Sequence, residues 1–165
     1  MAPSVFYSFH WDQDKHRVAQ VRNMGVVTGS PIATDNDWEQ IKRGGDRAIQ
    51  RWIDGQMEGT MCCVVLVGTA TANRPWVNYE LAEAWRQKKG VVAVRINRLK
   101  SLDGQQSAPG ANPLDFVKGP RSLPLSMVAR IYEPPSWDSK EAYAYIHDHL
   151  GKWIEEAIQI RVREG

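Results

Sequence analysis

The sequence predicts an α/β domain in which a mostly parallel sheet of five strands, in the order 2-1-3-4-5, is wrapped by helices on both faces. Three observations predict it. Short β-rich runs alternate with longer helical ones along the chain, the pattern of successive βα units. The run "MCCVVLVG" is apolar without alternation, as a central strand covered on both faces must be. And 165 residues, 42% of them hydrophobic and 24% charged, suffice for one domain with a real core, taken to span 1–165.

The elements follow in order. "SVFYSFH" is the first strand, ending at a polar turn, "WDQDKH". "KHRVAQVRNMG" then places Val18, Val21 and Met24 at helical spacing, with Gly25 as its stop. "VVTG" is a short second strand. "SPIATDNDWEQ" is rich in Ser, Pro, Thr, Asp and Asn and reads as a long exposed loop, with Asp35 or Asn36 capping a helix over 37–57. Trp38, Ile41, Ala48, Ile49, Trp52 and Ile53 form its buried side, and the pair Gly44 and Gly45 predicts a bend or break. After the central strand comes a helix within "ANRPWVNYELAEAW", then "VVAVRIN" as the fourth strand.

The stretch 98–124 carries Gly, Pro, Ser, Asn and Gln with little periodicity and holds at most a short helix over 114–117. An irregular segment of that length either covers a pocket as a lid or pads the sheet edge. "ARIYEPP" supplies the last strand. Ser136 or Asp138 caps a final amphipathic helix over 139–163, with Tyr143, Ile146, Leu150, Trp153, Ile154, Ala157 and Ile158 inward.

Composition excludes several classes. No apolar run approaches the roughly 20 residues of a membrane span, and "MAPSVFYSFH" enters a strand without a secretory signal. The expected location is cytoplasmic, with no membrane partner. A net charge of +2 is too small to argue for nucleic acid, and the basic clusters "RQKKG" and "RINRLK" read as a solvated helix end and a strand flank. The two cysteines, Cys62 and Cys63, are adjacent in the central strand and read as small core residues on opposite faces. No metal site is expected.

In such a sheet ligands bind beyond the carboxyl ends of the strands, between the first and third strands where the order reverses. Two loops line that crevice, "SFHWDQD" at 8–14 and "GTATANRPW" at 68–76. Pro75 suits the first turn of the following helix, capped by Asn73 or Arg74. Val77, Leu81 and Trp85 face the sheet, while Trp76, Glu80 and Glu83 leave that row, with Trp76 and Glu80 one turn apart. From spacing alone Glu80 is either a solvated helix glutamate or a catalytic carboxylate at the crevice, and Trp76 either a lid over the core or part of a site. No Gly-rich phosphate loop, CxxC, HExxH or GxSxG is present.

Taken together, "VFYSFHWDQDKHRVAQVRNMG", "VVLVGTATANRPWVNYELAEAW" and "GVVAVRINRLK" resemble the TIR-like proteins of the bacterial Thoeris anti-phage defence system, over about the first two thirds of the chain. The resemblance implies a flavodoxin-like fold and a catalytic glutamate a few residues after a tryptophan, here Trp76 and Glu80. The stretch "TGSPIATDNDW" takes the place of the family's mobile loop. The implied activity is cleavage of NAD+, as substrate and not cofactor, at the nicotinamide to ribose bond. In the Thoeris branch the implied product is a cyclic ADP-ribose isomer, a second messenger acting on a separate effector protein, with a phage component as trigger and a homo-oligomer as a possible assembly.

Nicotinamide leaves as a neutral molecule from a pyridinium, so the acid that ordinary glycosidases need is dispensable and one carboxylate suffices. Glu80 would bind the ribose hydroxyls and steady the oxocarbenium-like charge. Trp76, Phe9 and Trp11 are candidate platforms for nicotinamide or adenine. Arg74 and the loop amides from Thr69 to Thr71 are candidates for the pyrophosphate. Ser8, His10, Asn73 and Asn78 complete the candidate substrate-binding set. Two other readings stand beside this one: a non-enzymatic TIR module acting by self-association or by binding a partner, with oligomer formation sensitive to 30–38 and not to Glu80, and a nucleotide-binding sensor without turnover.

Overall fold

A computed structural model describes residues 3–29 and 35–165, with the backbone alone over 35–38. Five strands, β1 (Ser4–Ser8), β2 (Thr28–Gly29), β3 (Cys62–Val67), β4 (Gly90–Arg95) and β5 (Arg130–Tyr132), form one sheet in the order β2-β1-β3-β4-β5. Every pairing is parallel. This is the expected flavodoxin-like order, with its reversal between β1 and β3.

Alternation along the strands builds two cores. Val5 and Tyr7 of β1, with Cys62, Val64 and Leu66 of β3, face α1 (Trp11–Asn23) and α5 (Ser139–Arg163). Phe6, with Cys63, Val65 and Val67, faces α3 (Gly45–Met57) and α4 (Pro75–Arg86). The adjacent cysteines therefore enter different cores, both free and fully buried, and burial pushes both thiols above their ordinary range. All six residues of β3 are buried, as a doubly covered strand requires.

The helix expected over 37–57 is two: α2 (Asp35–Arg43) and α3, parted at Gly44. Gly45 has φ +80°, a left-handed angle that glycine adopts without a Cβ penalty. Of the anticipated loop, 28–29 are β2 and α2 begins at Asp35; 30–34 lie outside the described residues, as do the side chains of 35–38, Trp38 among them.

Two expectations fail. Residues 11–14 are not a turn but the first turn of α1, which starts directly after Phe9 and His10. Asp12 and Asp14 sit in that turn, where the helix dipole favours negative charge and offsets their weak intrinsic propensity. On α5, Tyr143 is exposed and Ala142 takes its place in the core. The row Ala142, Ile146, Leu150, Trp153, Ala157 and Arg161 is buried, and a side chain one position off such a row points roughly 100° away. The cap of α5 is Asp138, whose carboxylate accepts from the N–H groups of Lys140 and Glu141.

The irregular stretch does two jobs. Residues 99–110 cross the carboxyl ends of β3 and β4 as a strap. Arg17 of α1 donates to the carbonyls of Leu99 and Gln105, both at 2.9 Å, Asn97 and Ser107 bond mutually, and Arg95 donates to Gly110 O at 2.6 Å. A Cβ on Gly110 would stand 2.4 Å from Gly68 O, so only glycine lets the strap lie this close. Beyond it, short 3-10 turns at Pro113–Phe116, Pro120–Ser122 and Leu125–Met127 pad the α3/α4 side with Leu114, Val117 and Leu125. No helix among the described residues is long and apolar enough to cross a membrane.

Candidate functional site

The site forms where β1 ends and α4 begins. Ser8 is the last residue of β1 and pairs in register with Val65 of β3. Phe6 points toward α4, and the period-2 pleat sends Ser8 the same way. Glu80 lies in the second turn of α4, beside Val77, Leu81 and Ala84 on the helix's buried face. The two side chains meet: Ser8 Oγ donates to Glu80 Oε1 at 2.7 Å, 72 residues apart in sequence.

Glu80 is not a solvated helix glutamate; it is 8% exposed. No cation offsets its burial among the described residues. Loss of hydration raises its pKa from the ordinary 4.5 to about 8, and the Ser8 hydrogen bond opposes the rise. Water stabilises a carboxylate far better than a lone hydroxyl does, which is why burial dominates. Cys63 of β3 faces the same carboxyl, whose charge adds to the rise in the thiol's pKa.

The remaining candidates fall into three groups around this pair. His10, the residue before α1, is half-buried; burial lowers its pKa, Arg74 lowers it further, and Asp12 and Asp14 oppose. His10 and Arg74 are thus near enough for their charges to interact. Phe9 and Trp11 hold their rings 5.9 Å apart, and Phe9 packs on the α1/α5 core, the opposite side from Glu80. Trp76 is half-buried on the α3/α4 core, edge-on to Tyr79 at 5.7 Å.

At the start of α4, Pro75 occupies the first turn and Arg74 stands at the cap position, with neither its side chain nor that of Asn73 capping. Asn73, at φ +60°, accepts instead from Asn78 Nδ2 at 3.1 Å, and Arg74 donates to Ala70 O at 2.9 Å. The loop after β3 is braced internally. Gly68 N–H donates to Thr71 Oγ1 at 2.8 Å, and the Thr69 hydroxyl donates to Ala108 O of the strap. Thr69 is therefore drawn toward the strap rather than toward Glu80.

Three residues take roles that the sequence reading did not give them. Thr71 is fully buried as the brace of the loop. Cys63 lines the Glu80 side of β3. Asp14 is 1% exposed; its Oδ1 pairs with Arg17 at 3.3 Å, and its Oδ2 has no partner among the described residues. Burial raises the pKa of Asp14 and Arg17 counters the rise. A Cβ on Gly68 would lie 2.1 Å from Asp14 Oδ2, so α1 seats against the end of β3 through a glycine. The signal for Cys63 and Ser8 was strand alternation; nothing in the local pattern marked Asp14. Among the described residues no cluster of His, Cys, Asp or Glu could hold a metal ion.

Residues 6–101, more than half of the chain, match the family model described as "Thoeris protein ThsB, TIR-like domain". A protein of Bacillus cereus (strain MSX-D12) named "Putative cyclic ADP-D-ribose synthase ThsB1" is 34% identical over 122 residues, 71% of this chain. The match spans 64% of that relative's length. Ser8, Glu80 and the loop between β3 and α4 all fall inside the matched segment.

Proposed function

The chain belongs to the TIR-like domain family of Thoeris ThsB proteins, and on that premise we propose that it cleaves NAD+ and releases a cyclic ADP-ribose isomer as a second messenger in anti-phage defence. The observation that carries the proposal is Glu80. It is a buried carboxyl at the carboxyl end of the central strands, held by one hydroxyl and paired with no cation among the described residues. A glutamate with only a structural role is rarely buried without an ionic or multiply hydrogen-bonded partner. Strongly perturbed acids of this kind cluster at functional sites.

The chemistry needs a single carboxylate. The bond from ribose C1 to the pyridinium nitrogen breaks with its electron pair going to nitrogen, so nicotinamide departs neutral and positive charge moves to the ribose. Glu80, ionised, steadies that charge from a site with little competing water. An incoming pyridinium favours the ionised form, since opposite charge lowers a carboxyl pKa, and the proton passes to solvent. The lone pair of a nucleophilic atom elsewhere in the same ADP-ribose then forms the bond to C1 and the nucleophile gives up its proton by way of the Glu80 carboxylate, giving a cyclic product where water is excluded. Trp76 and Trp11 supply aromatic faces for the bases, Phe9 being turned into the opposite core, and Arg74 and His10 flank the polar part of the dinucleotide. The product acts on a separate effector protein, and a phage component triggers synthesis.

The test is nicotinamide release from NAD+, with separation of the nucleotide products, by the purified protein alone and with lysate from phage-infected cells. Glu80→Gln keeps shape and removes charge; its turnover is expected to fall by about 100-fold or more. Undiminished activity in Glu80→Gln removes Glu80 as the catalyst. Assembly without turnover in every condition favours a self-association module instead.

A further inference from the structure

The Ser8 hydroxyl has one proton, and the structure directs it at Glu80 Oε1 from 2.7 Å. Ser8 is fully buried, whereas Glu80 keeps 8% of its surface exposed. Glu80 Oε2 has no hydrogen-bond partner among the described residues. A carboxyl on a helix reaches across the sheet by several rotatable bonds, and without a fixed partner it samples more than one rotamer. We propose that Ser8 is not a substrate contact but the positioning residue of Glu80: from the rigid end of β1 it fixes Oε1 and leaves Oε2 as the oxygen presented to the ribose. The assignment rests on the reading of Glu80 as the catalyst.

Two further features support it. Ser8 is the last strand residue and is locked by pairing to β3, so its Oγ is set by backbone geometry. Donation of a hydrogen bond to the ionised form favours that form, and Ser8 is the influence that lowers the Glu80 pKa against burial. The other titratable group facing Glu80 is Cys63 of β3, whose buried thiol stays protonated at neutral pH. Lys89 acts on Cys63 and not on Glu80. Neither α1 nor α3 contributes a described charge that moves Glu80. Ser8 thus fixes the direction of the carboxyl and favours its ionised form against burial.

The experiment compares wild type, Ser8→Ala, which removes the donor at nearly equal volume, and Ser8→Cys, which keeps a weaker donor on a larger atom. Carbon-13 labelling of glutamate carboxyls, with Glu80 assigned from Glu80→Gln, gives the titration midpoint of Glu80 without turnover. The midpoint is expected to rise by about one pH unit in Ser8→Ala and by less in Ser8→Cys. In NAD+ cleavage, kcat is expected to fall about tenfold with KM within about twofold, and the rise of kcat with pH to move to higher pH by the same interval. If Ser8→Ala does not fold, Ser8→Cys carries the same comparison. An unmoved midpoint, or a raised KM with unchanged kcat, overturns the assignment while leaving Glu80 as catalyst. A wild type that releases no nicotinamide with or without infected lysate overturns the catalytic reading itself, and the role of Ser8 in turnover with it.

Discussion

Replacing Glu80 by glutamine makes the protein more stable, and does so only above mildly acidic pH. The folded protein holds the Glu80 proton up to about pH 8, whereas the exposed side chain of the unfolded chain loses it near 4.5. Between those values the unfolded state binds fewer protons than the native state, so native stability declines as pH rises through that window and levels off above it. The displacement sets a ceiling of roughly 4 kcal/mol at pH 8. Relaxation and water entry around the carboxylate reduce it, and a gain of about 2 kcal/mol is expected for Glu80→Gln at pH 8. Glutamine still offers an oxygen to Ser8, so packing is preserved. For a domain of this size the gain appears as a rise in Tm of about 4 to 8 °C. Thermal melts of both proteins from pH 4 to 8 decide the matter. A Tm difference that is absent at pH 8, or constant across the range, refutes the claim that Glu80 is held neutral by burial.

Two further predictions concern the walls of the site. Gly68→Ala drives a methyl into the Asp14 carboxyl and is expected to cost about 2 kcal/mol in urea denaturation; an unchanged midpoint refutes the close seating of α1 on β3. Arg17→Met removes two bonds to the strap and leaves Asp14 without its cation. It is expected to destabilise by about 3 kcal/mol and to speed amide exchange over 99–107, where unaltered protection contradicts the strap's anchoring through Arg17.

The parts legible in sequence were those governed by periodicity and local backbone chemistry. The apolar run of β3, the two glycines dividing α2 from α3, and Asp138 ahead of α5 each announce a structure that depends on neighbours within a few residues. The start of α1 is hard to read because Trp11, Asp12 and Asp14 are weak helix formers, and the dipole and the sheet decide there. The burial of Glu80 was open in sequence because its charge argued for solvent, while its place one residue before Leu81 put it at the edge of the buried stripe. The contact with Ser8 depends on register between β1 and α4, which no window of sequence contains. The strap was illegible for a different reason: Arg17, Gln20 and Thr69 grip its carbonyls, and a segment held by its main chain needs no side-chain pattern.

Placing Cys62 and Cys63 side by side on β3 gives the molecule a pair of internal gauges. Each sulfur belongs to a different layer, and neither can meet a solvent reagent while its layer is closed. Loosening of α1 and α5 would uncover the first sulfur alone, and loosening of α3 and α4 the second. The order in which the two are alkylated therefore records which side of the sheet opens first.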